Sequence, residues 1–303
     1  MKKVAVIGAG PSGITAIKNF IDEGFDVTAF ERCDGVGGNW RFNDPSGHSS
    51  VFETTHIISS KYTSFYEDYP LPDDASDYPS HKELLSYFDG YAEHFDIKKN
   101  IKFGTEVLSC KQLPNGRWLL KYKHLDGNDE ITLEFDALVV CNGHHHVPRY
   151  PEYKGEFSGE YIHSHDYKRA APFENKRVLV IGGGNSACDV AVETSRISQE
   201  TSLSWRRGYH LVPKFMYGLP ADVFAKRSRW IPQFLRIPFM KYMLERYQGK
   251  NEDIGLPKVT NKMLATHPTV NSDLYNAIRH GKVKPRPDIC LLYTSDAADE
   301  ERG

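Results

Sequence analysis

The amino-acid sequence predicts an α/β protein with two Rossmann-like dinucleotide-binding domains. The first observation is a glycine motif near the start, where Gly8, Gly10 and Gly13 follow an apolar strand and precede an amphipathic helix. The second observation is another glycine-rich turn, which follows an apolar strand over 177–181 and again leads into a helix. Strands that alternate with helices in this way favour parallel sheets.

In the first motif each glycine has a distinct expected role. Gly8 allows a tight turn, Gly10 lets the backbone approach a pyrophosphate, and Gly13 lets the helix pack closely on the strand. Pro11 and Ser12 lie at the start of that helix, where free N–H groups face bound phosphates. We therefore predict that this turn binds the diphosphate of a dinucleotide.

The segment after the second strand (27–30) supplies the other candidate residues of this first site. Glu31 lies about 20 residues after the motif, where an acid that binds ribose is expected, and Arg32 follows it. Gly38, Asn39 and Trp40 belong to a glycine-rich stretch whose backbone can lie flat against a ligand. Two alternatives stay open, namely a surface glutamate in an ordinary βαβ unit and a tryptophan that only packs.

The second glycine-rich turn predicts a second nucleotide site with a different specificity. The next strand along the chain, predicted over 202–205, is followed by two arginines rather than by an acid. This favours a 2′-phosphate and hence NADPH over NADH. The alternative is two solvated arginines. Two dinucleotide sites in one chain imply electron transfer between a bound flavin and a nicotinamide. The candidate residues of the second site are Gly182, Gly184, Asn185, Ser186, Arg206 and Arg207, with Ala187 in the role of the third glycine.

Composition and charge narrow the class of protein. The chain has 303 residues, a formal net charge of −2 and 40% hydrophobic residues, which is typical of a soluble enzyme and gives no reason to expect nucleic-acid binding. No apolar run reaches the roughly 18 residues of a membrane span, and the first strand begins too close to Met1 for a signal peptide. The five cysteines show neither a CxxC pair nor metal-ligand spacing, so we expect a cytoplasmic protein without a metal site.

Periodicity and turn signals predict the remaining elements. The expected elements are a helix over 80–94, strands over 101–108, 118–122, 131–134, 137–141 and 282–287, a loop over 267–273 and a helix over 274–280. The segment 206–250 is basic and rich in aromatic residues. We interpret it as a helical insertion with a solvated basic face; the alternative is a stretch that lies on a membrane surface.

Taken together, the motifs resemble those of the flavin-containing monooxygenases, a class B flavoprotein monooxygenase family. The family pattern F-x-G-x-x-x-H-x-x-x-Y/F is matched by Phe157, Gly159, His163 and Tyr167. The other matching stretches are GAGPSG, GGNW, SSK, CNGHH, GGGNSA and HPTVNSDL. The resemblance implies an FAD domain with an inserted NADPH domain, and a chain from which the C-terminal part of the family is missing.

The resemblance also divides the chain. It implies the N-terminal portion of the FAD-binding domain over 1–150, a linker with the fingerprint over 151–172, and an incomplete NADPH-binding domain over 173–289. The stretch CLLYTSDAADE resembles a translated sequencing adapter. We therefore interpret residues 290–303 as a non-native, adapter-derived tail and expect the natural chain to continue differently; the alternative is a natural acidic tail.

The activity that the resemblance implies is oxygenation of the N,N-dimethylaniline monooxygenase type. FAD and NADPH would transfer one oxygen of O2 to an amine or a sulfide through a flavin C4a-hydroperoxide, with the fingerprint residues supporting NADPH binding. Ile58 stands three residues before Lys61, where the family usually has an asparagine near the flavin, so we expect weakened coupling. The alternative is a match shifted by one residue, in which Ser59 takes the place of that asparagine. The alternatives are a Baeyer–Villiger monooxygenase, whose fingerprint usually ends in Trp rather than Tyr167, and a fragment that binds nucleotide without turnover. A disulfide reductase is disfavoured, because this chain lacks the CxxC dithiol that such an enzyme needs. A homodimer is left open as the oligomeric state.

Overall fold

The computed structural model describes residues 1–263 and 268–291, and the chain divides into two compact units. The first unit comprises Met1–Ile57 and Phe65–Pro148, and the second comprises Ile58–Ser64 and the chain from Arg149 onward. Most of the proposed tail, residues 292–303, lies outside the described residues. Among the helices of the described ranges, none combines the length and the apolar character that a membrane crossing requires.

The first unit contains a parallel sheet and a separate antiparallel sheet. The parallel sheet has the order β3-β2-β1-β7, with Val4 of β1 opposite Val27 of β2 and Ala137 of β7. The antiparallel sheet has the order β4-β5-β6. The bounds are β1 Lys3–Ile7, α1 Pro11–Asp22, β2 Asp26–Phe30, α2 His81–His94, β3 Ile101–Lys102, β4 Thr105–Gln112, β5 Trp118–His124, β6 Glu130–Phe135 and β7 Ala137–Val140.

Apolar spacing explains why α1 and α2 lie where they do. Ile14 and Ile17 of α1 fall on one helix face, and both are fully buried against Val4 and Val6 of the sheet. Leu84 of α2 belongs to the same core. The predicted βαβ arrangement of the first 30 residues and the predicted helix over 80–94 are therefore confirmed.

The prediction of one strand over 101–108 is wrong. The structure has two strands there, Ile101–Lys102 and Thr105–Gln112, which belong to different sheets. Gly104 lies between them with a φ of 58°, a left-handed conformation that ends a strand and that glycine adopts without steric cost. The chain therefore leaves the parallel sheet at this glycine and enters the antiparallel one.

The second unit is built around the parallel sheet β14-β9-β8. Its bounds are β8 Arg177–Ile181, α3 Asn185–Thr194, β9 Glu200–Ser204, β10 Leu211–Val212, β11 Phe215–Met216, β12 Leu219–Pro220, α4 Ala221–Arg227, α5 Gln233–Gln248, β13 Thr269–Val270, α6 Leu274–Arg279 and β14 Val283–Arg286. The helices α4 and α5 confirm the helical character predicted within 206–250, and α6 and β14 confirm the last two predicted elements.

The predicted loop over 267–273 is only partly right. Residue 267 lies outside the described residues, and the next ones form the strand β13, which pairs in parallel with β10 through Thr269 and Leu211. Two-residue strands carry too little pattern to be recognised from sequence alternation. This short strand contacts the second glycine loop through the hydroxyl of Thr269.

Candidate dinucleotide-binding sites

Close backbone packing makes glycine necessary at two positions of the first glycine loop, Gly8 and Gly13. A Cβ atom on Gly8 would lie 2.4 Å from the carbonyl oxygen of Cys141, and one on Gly13 would lie 2.0 Å from the carbonyl oxygen of Gly8. A Cβ atom on Gly10 would lie 3.6 Å from the Cα of Gly38. The structure thus brings the three motif glycines and Gly38 together at the carboxyl end of β1.

The helix that follows this loop begins without a side-chain cap. Gly10 is the N-cap residue of α1 and Pro11 is the first helical residue, so no side chain satisfies the N–H groups of the first turn. By contrast, α2 begins with a capping box between Ser80 and Glu83. An uncapped helix start beside a glycine loop fits a bound pyrophosphate, because the free N–H groups and the helix dipole both favour negative charge.

Glu31 lies at the expected place, and it also braces the loop. Its carboxylate is buried, with Oε2 accepting the N–H of Ala9 at 2.6 Å and Oε1 accepting the N–H of Cys33 at 2.9 Å. The acid predicted to bind ribose therefore also ties the glycine loop to the end of β2. Arg32 is exposed, and its Nε lies 4.0 Å from a carboxylate oxygen of Glu106.

The glycine-rich segment after β2 folds onto the same loop. Gly38–Trp40 forms a short 3-10 helix, and the preceding Gly37 donates its N–H to the carbonyl of Ala9 at 3.1 Å. The amide oxygen of Asn39 accepts both the N–H and the hydroxyl of Ser50. Trp40 packs, half-buried, against the core of the first unit, so its indole has a structural role in addition to any contact with a ligand.

The cysteines provide no reactive dithiol. All five are free, and burial is the largest cause that raises the pKa of the Cys33 thiol and of the Cys188 thiol. Both thiols therefore stay protonated near neutral pH, and Cys33 donates to Asp44 at 3.0 Å. Nothing in this arrangement favours the disulfide reductase alternative.

A short strand far along the chain holds the second glycine loop in place. Gly182 has a φ of 131°, and α3 starts at Asn185 with Gly184 as its N-cap and no side-chain cap. The hydroxyl of Thr269 donates to the carbonyl of Gly183 at 2.7 Å. The amide oxygen of Asn185 accepts the N–H of Val270 at 2.6 Å. As in the first unit, an uncapped helix start after a glycine turn fits a bound pyrophosphate.

The three residues Thr269, Val270 and Asn271, which we call the brace, all contact the second glycine loop or α3. Asn271, the last of them, contacts a carboxylate of α3. The side-chain amide of Asn271 donates to Oδ1 of Asp189 at 2.6 Å. Burial is the largest influence on that carboxyl and raises the pKa of Asp189 to about 6, although the bond from Asn271 lowers it. Sequence reasoning recognised HPTVNSDL as a motif and assigned no role to its Thr or Asn; the only signal was the polar side chains in an otherwise unassigned segment.

The two arginines lie at the same edge of the sheet as the second glycine loop. The strands β8 and β9 are parallel neighbours, so the loop after β8 and Arg206–Arg207 after β9 start from the same end of the sheet. Gly182 donates its N–H to the carbonyl of Ser204 at 3.0 Å, which joins the two strand ends. Both arginines and Ser186 are exposed and available to a ligand.

Ile58 lies in the second unit, in a segment that a distant aspartate anchors. Oδ2 of Asp222 accepts the N–H of Ser60 at 2.8 Å and its hydroxyl at 2.9 Å, and it also accepts the hydroxyl of Thr63. Ile58 itself is half-buried.

The last residue of the fingerprint, Tyr167, is buried, and its hydroxyl donates to Glu193 of α3 at 2.8 Å.

Comparisons with known proteins agree with one another. The family model for flavin-binding monooxygenase-like proteins matches residues 1–301. The chain is 37% identical over 316 residues to dimethylaniline monooxygenase (N-oxide-forming) 2 of Oryctolagus cuniculus. This match covers 99% of this chain and 58% of the Oryctolagus cuniculus protein. Across the first curated relatives, the chain spans between 56% and 59% of their length.

Solved structures of monooxygenases have a fold similar to that of this chain. The S-allyl-L-cysteine S-oxygenase of Allium sativum is 29% identical with a TM-score of 0.63, over 73% of this chain and 53% of that one. The cyclohexanone monooxygenase of Rhodococcus sp. Phi1, bound to NADP+, has a TM-score of 0.67 over 94% of this chain and 64% of that one. Its identity is 18%, so this second likeness concerns the fold alone.

Proposed function

This chain belongs to the flavin-binding monooxygenase-like family, and on that premise we propose that it forms the FAD- and NADPH-binding part of an N- or S-oxygenating monooxygenase. FAD and NADPH are the typical cofactors of the family. The observation that carries the proposal is the pair of glycine loops, each followed by a helix without a side-chain cap. Arg206 and Arg207 follow the strand next to the second loop.

In this proposal the first unit binds FAD. The N–H groups at the start of α1 receive the pyrophosphate, and Gly10 leaves the room that its close approach needs. Glu31 orients the ribose while its bonds to Ala9 and Cys33 keep the loop in place. Asn39, through its bonds from Ser50, and Trp40, through its packing on the core, fix the segment beside the loop.

The second unit binds NADPH. The start of α3 receives the pyrophosphate, and Arg206 and Arg207 pair with the 2′-phosphate, which NADH lacks. FAD held at the first site would supply the chemistry, namely acceptance of a hydride from NADPH and activation of O2 for transfer of one oxygen to the substrate. The protein supplies binding, orientation and exclusion of water, so no nucleophilic side chain is required.

The names of the relatives support the substrate class. One forms N-oxides and another oxygenates the sulfur of S-allyl-L-cysteine, so we propose an amine or a sulfide as the substrate. Ketone oxygenation has only the likeness of the fold to support it. Ile58 would then lie where the family places an asparagine, and we propose that it weakens the coupling between NADPH use and oxygenation.

Isotope labelling tests this function. The full-length enzyme is incubated with NADPH, ¹⁸O2 and either N,N-dimethylaniline or methyl phenyl sulfide, and the products are analysed by mass spectrometry. We expect one ¹⁸O atom in the N-oxide or the sulfoxide, and faster turnover with NADPH than with NADH. Consumption of NADPH without labelled product from either substrate would contradict the proposal.

A further inference from the structure

An aromatic ring lies beneath one of the two arginines of the second site. The guanidinium carbon of Arg207 is 5.3 Å from the centre of the Tyr209 ring, within the range of a cation–π interaction. The Tyr209 ring in turn meets Trp205 edge to face, with ring centres 5.4 Å apart and planes at 84°. Trp205 is only 1% exposed, so the tyrosine links an exposed arginine to the core.

The middle glycine of the loop provides the space for this ring. A Cβ atom on Gly183 would lie 2.3 Å from a ring carbon of Tyr209 and 3.1 Å from Trp205. The dinucleotide fingerprint assigns roles to Gly182 and Gly184 and leaves Gly183 without one. The Tyr209 ring, which packs directly on Gly183, explains why this position is a glycine.

A second contact fixes the turn that carries the tyrosine. A Cβ atom on Gly208 would lie 2.3 Å from the carbonyl oxygen of Lys258, so the backbone of this turn packs tightly on a neighbouring segment. Gly208 and Trp205 are both buried, whereas Arg206 and Arg207 are exposed. The base of the turn is therefore rigidly packed, and Tyr209 is the aromatic contact that Arg207 makes with that base.

We propose that Tyr209 is a positioning residue for coenzyme selection, whose ring holds the Arg207 guanidinium in place for the 2′-phosphate of NADPH. This inference rests on the proposed function of the second unit. The electron-rich face of the ring attracts the cation, and a guanidinium that is already ordered loses less conformational freedom when it pairs with phosphate. Arg206 has no such ring contact among the described residues, so the effect should act through Arg207 alone.

The expected effect is confined to the 2′-phosphate. An exposed cation–π contact is worth about 0.5–1 kcal/mol, or about two- to fivefold in a dissociation constant. Tyr209→Leu should therefore weaken binding of NADP+ by about two- to fivefold more than binding of NAD+, which shares the Gly183 loop on which the ring packs. Tyr209→Phe keeps the ring and should bind both coenzymes as the unchanged protein does.

Isothermal titration calorimetry with NADP+ and NAD+, on single and double variants, tests the proposal. In the Arg207→Ala background, Tyr209→Leu should cause no further loss of NADP+ affinity relative to NAD+ affinity. In the Arg206→Ala background, Tyr209→Leu should lower NADP+ affinity relative to NAD+ affinity by the same factor as it does alone. A variant that only loosens the fold would weaken NADP+ and NAD+ equally, and this result would overturn the inference, as would full additivity with Arg207→Ala.

The two levels of proposal fail in different ways. If neither Arg206→Ala nor Arg207→Ala changes the ratio of the two dissociation constants, the assignment of the NADPH site is wrong, and the role of Tyr209 is wrong with it. If Arg207→Ala changes the ratio and Tyr209→Leu does not, only the role of Tyr209 is wrong. Thermal melts of each variant identify any that fail to fold, and Tyr209→Phe then decides whether the ring matters.

Discussion

The carboxyl group of Asp189 provides a test of the structure that needs no cofactor. Burial raises its pKa from 3.8 to about 6, against the opposing effect of the bond from Asn271 and of the positive charge on Lys214. The negative charges of Glu193 and Asp273 raise it further. Asp189→Asn keeps the size of the side chain and an oxygen that accepts the bond from Asn271, and it removes the ionisation.

The magnitude follows from the shift in pKa. A rise from 3.8 to about 6 is worth about 3 kcal/mol at about 1.4 kcal/mol per unit, and we expect about 1–3 kcal/mol because the side chain is partly exposed. A raised pKa in the folded state stabilises the fold while the group is protonated. That contribution is complete below pH 3.8 and is lost as the pH rises through about 6. The variant should therefore match the unchanged protein near pH 4 and exceed its stability by the full amount above pH 7.

Thermal unfolding of the two proteins across pH 4–8, without coenzyme, measures the difference. At about 2–4 °C per kcal/mol, Asp189→Asn should raise the Tm by about 2–12 °C at pH 7.5 and by little at pH 4. Asp288→Asn is the matched control, because it makes the same substitution at an aspartate that is exposed in the same unit. A difference in Tm that is constant across the pH range would refute the reasoning.

Two further predictions concern the brace and the segment around Ile58. Thr269→Val removes the hydroxyl that donates to the buried carbonyl of Gly183 and should lower the free energy of unfolding by about 1–3 kcal/mol; urea denaturation checks this, with Thr269→Ser retaining most of the stability. Ile58→Asn restores hydrogen-bonding groups worth about 1–3 kcal/mol, so in the full-length enzyme it should lower the share of oxidised NADPH that appears as H2O2. A peroxide assay with Ile58→Val as control checks the second prediction, and an unchanged share of H2O2 would contradict it.

The glycine loops could be predicted from sequence because their constraint is local. Gly13 is required by the carbonyl oxygen of Gly8, and Gly8 itself has a φ of 95°, so both constraints lie within one turn whose spacing is short enough to be read as a motif. The contact of Gly8 with Cys141 comes from a distant part of the chain and leaves no such pattern. Helix α2 was predictable for the same reason, since its apolar spacing and its Ser80–Glu83 capping box lie within the element. Local physics of this kind leaves a signature in consecutive residues.

The partners of the loops could not be predicted, because they come from distant parts of the chain. Thr269 holds the carbonyl of Gly183, and Asp222 holds Ser60, in each case across a long sequence separation. A threonine or an aspartate in an irregular segment carries no local pattern that names its partner. The break at Gly104 was missed for a different reason: the apolar alternation continued across a glycine whose left-handed backbone ends the strand.

The polar contacts around α3 fit a loop that is held in place at some expense of stability. Thr269 donates to the second glycine loop, and Val270 and Asn271 donate to Asn185 and Asp189 of the helix that follows it. Asp189 receives one of those bonds, yet its ionised form is disfavoured by burial, so a neutral side chain would serve stability better at neutral pH. A group that lowers stability beside a ligand-binding loop is expected where the arrangement of the loop matters more than the stability of the fold. If Asp189→Asn stabilises the protein as predicted, comparing its affinity for NADP+ with that of the unchanged protein shows whether the carboxylate contributes to binding through the position of α3.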